Sequence, residues 1–269
     1  MTMRNITPYL LLLFSFVFAG VQTIVRNQCR VSEDGKTEFL IQLPKYYSLY
    51  QGLGLEDEVS YAAFDQAMTG YEKIEKKKPI LTLIDFSKPS VDERLYVIDV
   101  ENKEVLYRSV VAHGRNSGAN YTTSFSNKPG SHQSSLGFFL TERSYQGGNG
   151  YSLVIDGVEP GINDNAKKRA VVIHGADYAN PKLARSAGRL GRSWGCPALP
   201  RSLTKPIIDK IKGGSVIYAY CKSHNEDYLK RSSVLRAYRF PSPESTELLT
   251  QSNYSSLPLS GTESPGTYR

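Results

Sequence analysis

Six short runs between Ile80 and Gly175 constrain this chain more than any other feature. "ILTLIDF", "RLYVIDV", "EVLYRSVVAHG", "SLGFFLTE", "YSLVIDG" and "RAVVIHG" are rich in β-branched and aromatic residues, and each is bounded by Gly, Asn, Asp, Ser or Pro. The second and third flank "ENKE", a spacing that predicts a hairpin. A further run, "SVIYAY", follows later. With so few helices between the runs, a mainly β fold of antiparallel character, sandwich or barrel, is expected rather than a doubly wound parallel sheet.

Helical signals lie on either side. Phe64, Ala67, Met68, Tyr71 and Ile74 recur at three- and four-residue steps, which predicts an amphipathic helix from Val59 to about Ile74, stopped by a lysine run and Pro79. "SLTKPIIDKIKGG" predicts a short helix with Ser202 or Thr204 near its start and Gly213 and Gly214 at its end. Residues 21–54 show no clear periodicity. Past Pro241 the sequence is rich in Ser, Thr and Pro and reads as a disordered or loosely attached tail.

The start, "MTMRNITPYLLLLFSFVFAG", has a positive charge at Arg4, an apolar run from Tyr9 to Phe18 and small residues at Ala19 and Gly20. It reads as a secretory signal peptide. The run of roughly ten residues is too short for a spanning helix, and no lipidated-cysteine context follows. With 269 residues, 40% of them hydrophobic, one main core is expected. The organisation is thus 1–19 signal peptide, 20–78 a segment with an amphipathic helix, 79–222 the main domain, and 223–269 a C-terminal extension.

Export makes the three cysteines informative, because paired thiols are expected outside the cytosol and one must be left over. Cys29 with Cys221 is one pairing; sequence alone does not fix it. The net charge of +7 and pI near 9.1 favour an anionic polymer such as the cell wall as surroundings. Nucleic-acid motifs are absent, so no nucleic-acid partner is expected.

The chemistry gathers at "GRLGRSWGCPALP", Gly188 to Pro200, about twenty residues after "VVIHGADY". His174 ends an apolar run and is followed by Gly. Cys196 follows Gly195, whose freedom allows a tight turn and whose N–H, with that of Cys196, could meet a developing oxyanion. Arg189, Arg192 and a His partner would favour the thiolate. A buried small residue, a disulfide half and a metal ligand are the other readings. With no C-x-x-C or H-E-x-x-H spacing among Cys196 and the four His, a metal is not expected. Asp177 or a backbone carbonyl would serve equally to orient His174.

Together, "VVIHGADY" and "GRLGRSWGCPALP", with "VVAHGRNSG", "FSNKPGSHQSSLGFF" and "INDNAKKRAVVIHGADY" upstream, resemble the YkuD-type L,D-transpeptidases, in particular their murein L,D-transpeptidase catalytic-domain branch. The resemblance covers roughly Ile80 to Tyr220. It implies a β-sandwich-like catalytic fold and a cysteine that attacks a peptidoglycan stem peptide. D-Alanine leaves, a thioester remains, and a neighbouring stem's amine resolves it into a 3-3 crosslink, with no cofactor or metal. Cys196 would be the nucleophile, His174 the base, the Gly175 carbonyl its orienter, and the Gly195 and Cys196 N–H groups the oxyanion hole.

Ser193 matches the family's Ser/Thr and would shape the loop or touch substrate. Trp194 stands where many members have His, and Pro197-Ala198 replaces an apolar-Arg pair, so Arg189 or Arg192 would take that arginine's part in holding substrate. Ser135, Gly137 and Phe138 occupy a place that often lines the cleft. His113 is expected to be structural. Periplasm or cell envelope is the implied location, and peptidoglycan stem peptides are the implied partners. The same site using water would be a carboxypeptidase or crosslink-cleaving hydrolase, and a non-catalytic wall-binding protein is the third reading. A papain-like peptidase would have Cys before His, the reverse of this order.

Overall fold

The structure, a computed structural model, describes residues 28–31, 37–40 and 43–238. The expected signal peptide and the tail beyond Pro241 lie outside the described residues. Of the unit comprising Met1–Gln42 and Ser242–Arg269, a hairpin is described, β1 (Gln28–Val31) antiparallel to β2 (Thr37–Leu40). Strands of four residues are too short to leave a periodic signal in the sequence.

Leu43–Pro241 form a second compact unit. It begins with helices α1 (Tyr47–Gly52) and α2 (Tyr61–Lys73), followed by strands β3 (Ile80–Asp85), β4 (Leu95–Asp99), β5 (Glu104–Ser109), β6 (Gly137–Gly147), β7 (Gly150–Gly157) and β8 (Val172–Gly175). Helix α3 (Pro181–Ala187), strand β9 (Ala198–Leu199), helix α4 (Arg201–Ile211), strand β10 (Val216–Tyr220) and helix α5 (Asn225–Arg231) complete it. Helices α2 and α5 lie within this same unit as the strands.

The mainly β class expected from the sequence is present, in the form of one eight-stranded sheet ordered β5-β4-β3-β10-β6-β7-β8-β9. The "ENKE" turn joins β4 and β5 as an antiparallel hairpin. Only the β3–β10 and β8–β9 pairs are parallel. Past β5 the chain swings across to β9, where Ala112 and Ala198 exchange both backbone hydrogen bonds, at 2.8 and 3.2 Å. This bridge brings the two ends of the sheet together and nearly closes it into a barrel. Inside, Ile84, Phe86, Phe139, Ile155, Val171 and Ile217 leave a space of about 10 Å3, no larger than one water needs. The interior is therefore a packed core and not a channel.

Local chemistry explains the boundaries. Ser60 caps α2, its Oγ accepting from the Ala63 N–H at 3.3 Å. Helix α2 lies on β3 and β10 with Phe64, Ala67, Met68 and Tyr71 buried, and Gly70 lets it approach closely, since a Cβ there would stand 2.0 Å from the Phe138 ring. The expected strand "RAVVIHG" begins only at Val172, because Ala170 takes a left-handed φ of 54° that no strand accommodates. Helix α4 starts at Arg201 with no side-chain cap. Thr204 donates to the Pro200 carbonyl from inside the first turn, and neither it nor Ser202 caps the helix.

Candidate active site

Strands β8 and β9 place the two reactive side chains. In their parallel register His174 pairs with Ala198 and Gly175 with Leu199. Carried back two residues, that register sets Cys196 opposite Val172, and the Val172 N–H does point at the Cys196 Sγ, 3.4 Å away. Cys196 is thus the diagonal neighbour of His174 on the adjoining chain, a relation that brings long side chains within reach. At rest the two are not hydrogen-bonded among the described contacts. The thiol instead faces the Ala170 carbonyl at 3.7 Å.

His174 is buried, and its Nδ1 lies 3.1 Å from the Gly175 carbonyl oxygen. A carbonyl can only accept, so Nδ1 carries the hydrogen and Nε2 keeps its lone pair. Burial holds the imidazole below its ordinary 6.5, and Arg201 nearby adds to this. Asp177 is turned away into a two-point pair with Arg201, at 2.6 and 3.0 Å. Of the two orienters open from sequence, the carbonyl is the one in contact. Gly175 also permits close packing on α4, since a Cβ would fall 2.4 Å from the Thr204 Oγ1.

The loop that carries Cys196 is stitched from within. Ser193 Oγ accepts from the Gly195 N–H at 3.0 Å and donates to the Cys196 carbonyl at 2.6 Å. Two expectations change as a result. Ser193 is buried and spent on its own loop, so it is not placed to touch substrate. The Gly195 N–H is already bonded and does not point into an oxyanion site. The Cys196 N–H, which has no backbone acceptor among the described residues, remains. Gly195 itself has a φ of 124°, and a Cβ there would sit 2.8 Å from the Gln133 carbonyl, so the turn needs glycine.

The arginines also differ from expectation. Arg192 donates to the Arg115 and Gly118 carbonyls, and Arg189 to that of Leu190, so both secure backbone. The positive charge near the sulfur comes instead from Arg169, which the sequence did not single out. Burial pushes the Cys196 thiol above its ordinary value, while the Val172 N–H and Arg169 oppose it. The resting group is therefore a thiol, not the standing thiolate that neighbouring charge had implied. Tyr178 is a second residue missed: burial, then the Cys196 sulfur when it is charged, push its hydroxyl up to about 12, so it stays protonated.

Gly137 and Phe138 do not reach the site. Phe138 is fully buried beneath α2, stacked on Tyr218 at 4.2 Å, and Gly137 lies against Glu159. Ser135 holds Ser126 and Arg169. Trp194 is 72% exposed and stacks on His132 at 5.1 Å, leaving its other face open at the rim. His113 is structural in its contacts, its Nδ1 accepting from Arg94 Nη2 at 2.8 Å and from Thr122. Cys221 is a buried free thiol; the Cys29 side chain, and with it the pairing considered from sequence, lies outside the described residues. A groove of about 540 Å3 beyond Gly175 is lined by Asp177, Lys182, Arg185 and Arg201, and includes neither His174 nor Cys196.

The family model described as the L,D-transpeptidase catalytic domain matches residues 55–220, well over half of the chain. No curated protein matches. Similar solved structures include an L,D-transpeptidase from Mycobacterium smegmatis, at 13% identity and a TM-score of 0.34, covering 53% of this chain and 58% of that one. L,D-transpeptidase 1 of Mycobacterium tuberculosis gives 15%, 0.29, 53% and 61%. One from Stackebrandtia nassauensis gives 14%, 0.31, 64% and 74%. The chain spans less than two thirds of the length of the two mycobacterial structures.

Proposed function

The chain belongs to the L,D-transpeptidase catalytic-domain family, and on that premise we propose that it is a peptidoglycan L,D-transpeptidase with Cys196 as nucleophile and His174 as base. The observation that carries the reading is the β8–β9 register, which sets a neutral, carbonyl-anchored imidazole diagonal to the only partly exposed cysteine thiol described.

In this reading the thiol turns from the Ala170 carbonyl towards His174 as substrate binds. His174 Nε2 takes the thiol proton while Sγ attacks the carbonyl carbon of the stem's third residue. The Cys196 N–H meets the oxygen as it gains charge. Collapse breaks the bond to D-alanine, whose nitrogen receives the proton from His174, and leaves a thioester on Cys196. An amine from a second stem attacks the thioester, His174 takes its proton and returns it to the thiol, and a 3-3 crosslink is released. Trp194, open at the rim, is the candidate for substrate contact that remains from the sequence. Such a substrate accords with an exported, envelope location. Among the described residues no helix is long and apolar enough to cross a membrane.

Incubating purified stem tetrapeptide with the protein and with Cys196→Ser, and reading products by mass, tests this. A crosslinked dimer from the wild type alone is expected. Tripeptide without dimer transfers the site to the hydrolytic reading, and neither product, or dimer from both proteins, refutes the transpeptidase.

A further inference from the structure

Arg169 differs from its neighbours Lys167 and Lys168, which are exposed. Its guanidinium is folded inward and makes four hydrogen bonds, all to one segment. Nη1 donates to the Ser126 carbonyl at 2.8 Å and to Ser135 Oγ at 2.7 Å; Nη2 donates to the Gln133 carbonyl at 2.6 Å and to Ser131 Oγ at 3.1 Å. That segment is in turn bonded to the nucleophile loop, Ser134 Oγ donating to the Gly195 carbonyl at 3.2 Å. The guanidinium lies against the loop as well: a Cβ on Gly195 would be 3.4 Å from Nη2. The next residue, Ala170, has the left-handed backbone that turns its carbonyl to Sγ.

We propose that Arg169 is a positioning residue for the Cys196 thiolate: its fork fastens the 126–135 segment around the nucleophile loop and holds a fixed positive charge beside the sulfur. The role rests on Cys196 being the nucleophile named above. Arginine suits it on two counts, because a planar fork makes four bonds from one side chain and the group keeps its charge when half-buried. The pair is mutually favourable when the sulfur is charged: burial raises the thiol's proton affinity and lowers that of the arginine, and each charge opposes the other's shift. The base being neutral at rest, this cation is in place before the proton moves and then shares the negative sulfur with the imidazolium that forms on His174.

Alkylation of Cys196 by iodoacetamide, followed on its peptide by mass across pH, reads the thiol without any peptidoglycan substrate. Arg169→Met and Arg169→Gln are expected to raise the apparent alkylation pKa by about one unit. Because a more basic thiolate is intrinsically more nucleophilic, the rate near neutrality should fall only roughly threefold. Arg169→Lys should restore the pKa, while with stem peptide its KM rises from the loosened segment. Wild-type alkylation profiles in folded neutral variants overturn the proposal, and so does a lysine variant titrating like the neutral ones. Should the neutral variants fail to fold, the lysine variant is read against the wild type: an apparent pKa about one unit above it overturns the proposal. A wild type that makes no product from stem peptide, yet shows the expected alkylation shifts, refutes the function and leaves Arg169's role standing.

Discussion

Cys196 and His174 are each held by the residue beside them. Gly195 allows the turn that presents the thiol, and the Gly175 carbonyl fixes which imidazole nitrogen can accept a proton. With His174 depressed below 6.5 by burial and the thiol raised, the resting pair is neutral. With the proposed roles, activity requires the unprotonated imidazole and is lost as pH falls through its lowered pKa. The acid limb of kcat/KM should therefore lie below 6.5, and a midpoint at or above 7 would contradict the neutral pair. Both residues were legible as His-Gly and Gly-Cys. Arg169 was not, because nothing in "AKKRAVV" marks it off from two exposed lysines; residues 126–135, far off in sequence, give it its place. The same tertiary dependence hid the internal use of Ser193 and the Gly195 N–H.

At the level of elements, the strands were legible because apolar residues cluster between turn formers, and α2 because a thirteen-residue helix displays its period. Helices α1, α3 and α5 have six or seven residues, too few to show a pattern or to stand without tertiary support. For α5 that support is Glu159. Its buried carboxylate accepts from the Phe138 N–H and the Tyr228 hydroxyl, both at 2.8 Å, and from Ser232 Oγ, joining β6 to the segment after the last strand. Glu159→Ala leaves three buried donors without their acceptor and should cost about 3 kcal/mol or more in urea unfolding, while Glu226→Ala, in an exposed pair of α5, should leave the midpoint unchanged. Equal midpoints for all three proteins would show that the network does not hold the element.

For the whole molecule, the consequence of curling one sheet almost shut is the position of its seam. The Ala112–Ala198 bridge that closes the barrel lies two residues from Cys196 and at Ala198, His174's own partner in β9, so the proposed site sits where the sheet's two ends meet. "VVAHG" supplies one side of that seam. His113 anchors it to Arg94, while its backbone carbonyl receives the Ser193 N–H at 2.9 Å. A β-rich chain was evident from sequence, but not this closure, since it depends on two isolated bridges, Ala112–Ala198 and Gly114–Ser193, whose residues carry no local signal. If this seam holds a cysteine that becomes acylated, intact-mass measurement on mixing with stem tetrapeptide detects the acyl-enzyme. The expected result is a transient gain equal to the tripeptide acyl group, mapped to Cys196, with free D-alanine released and no gain in Cys196→Ala. Acylation at another residue, or crosslinked product from the alanine variant, would contradict it.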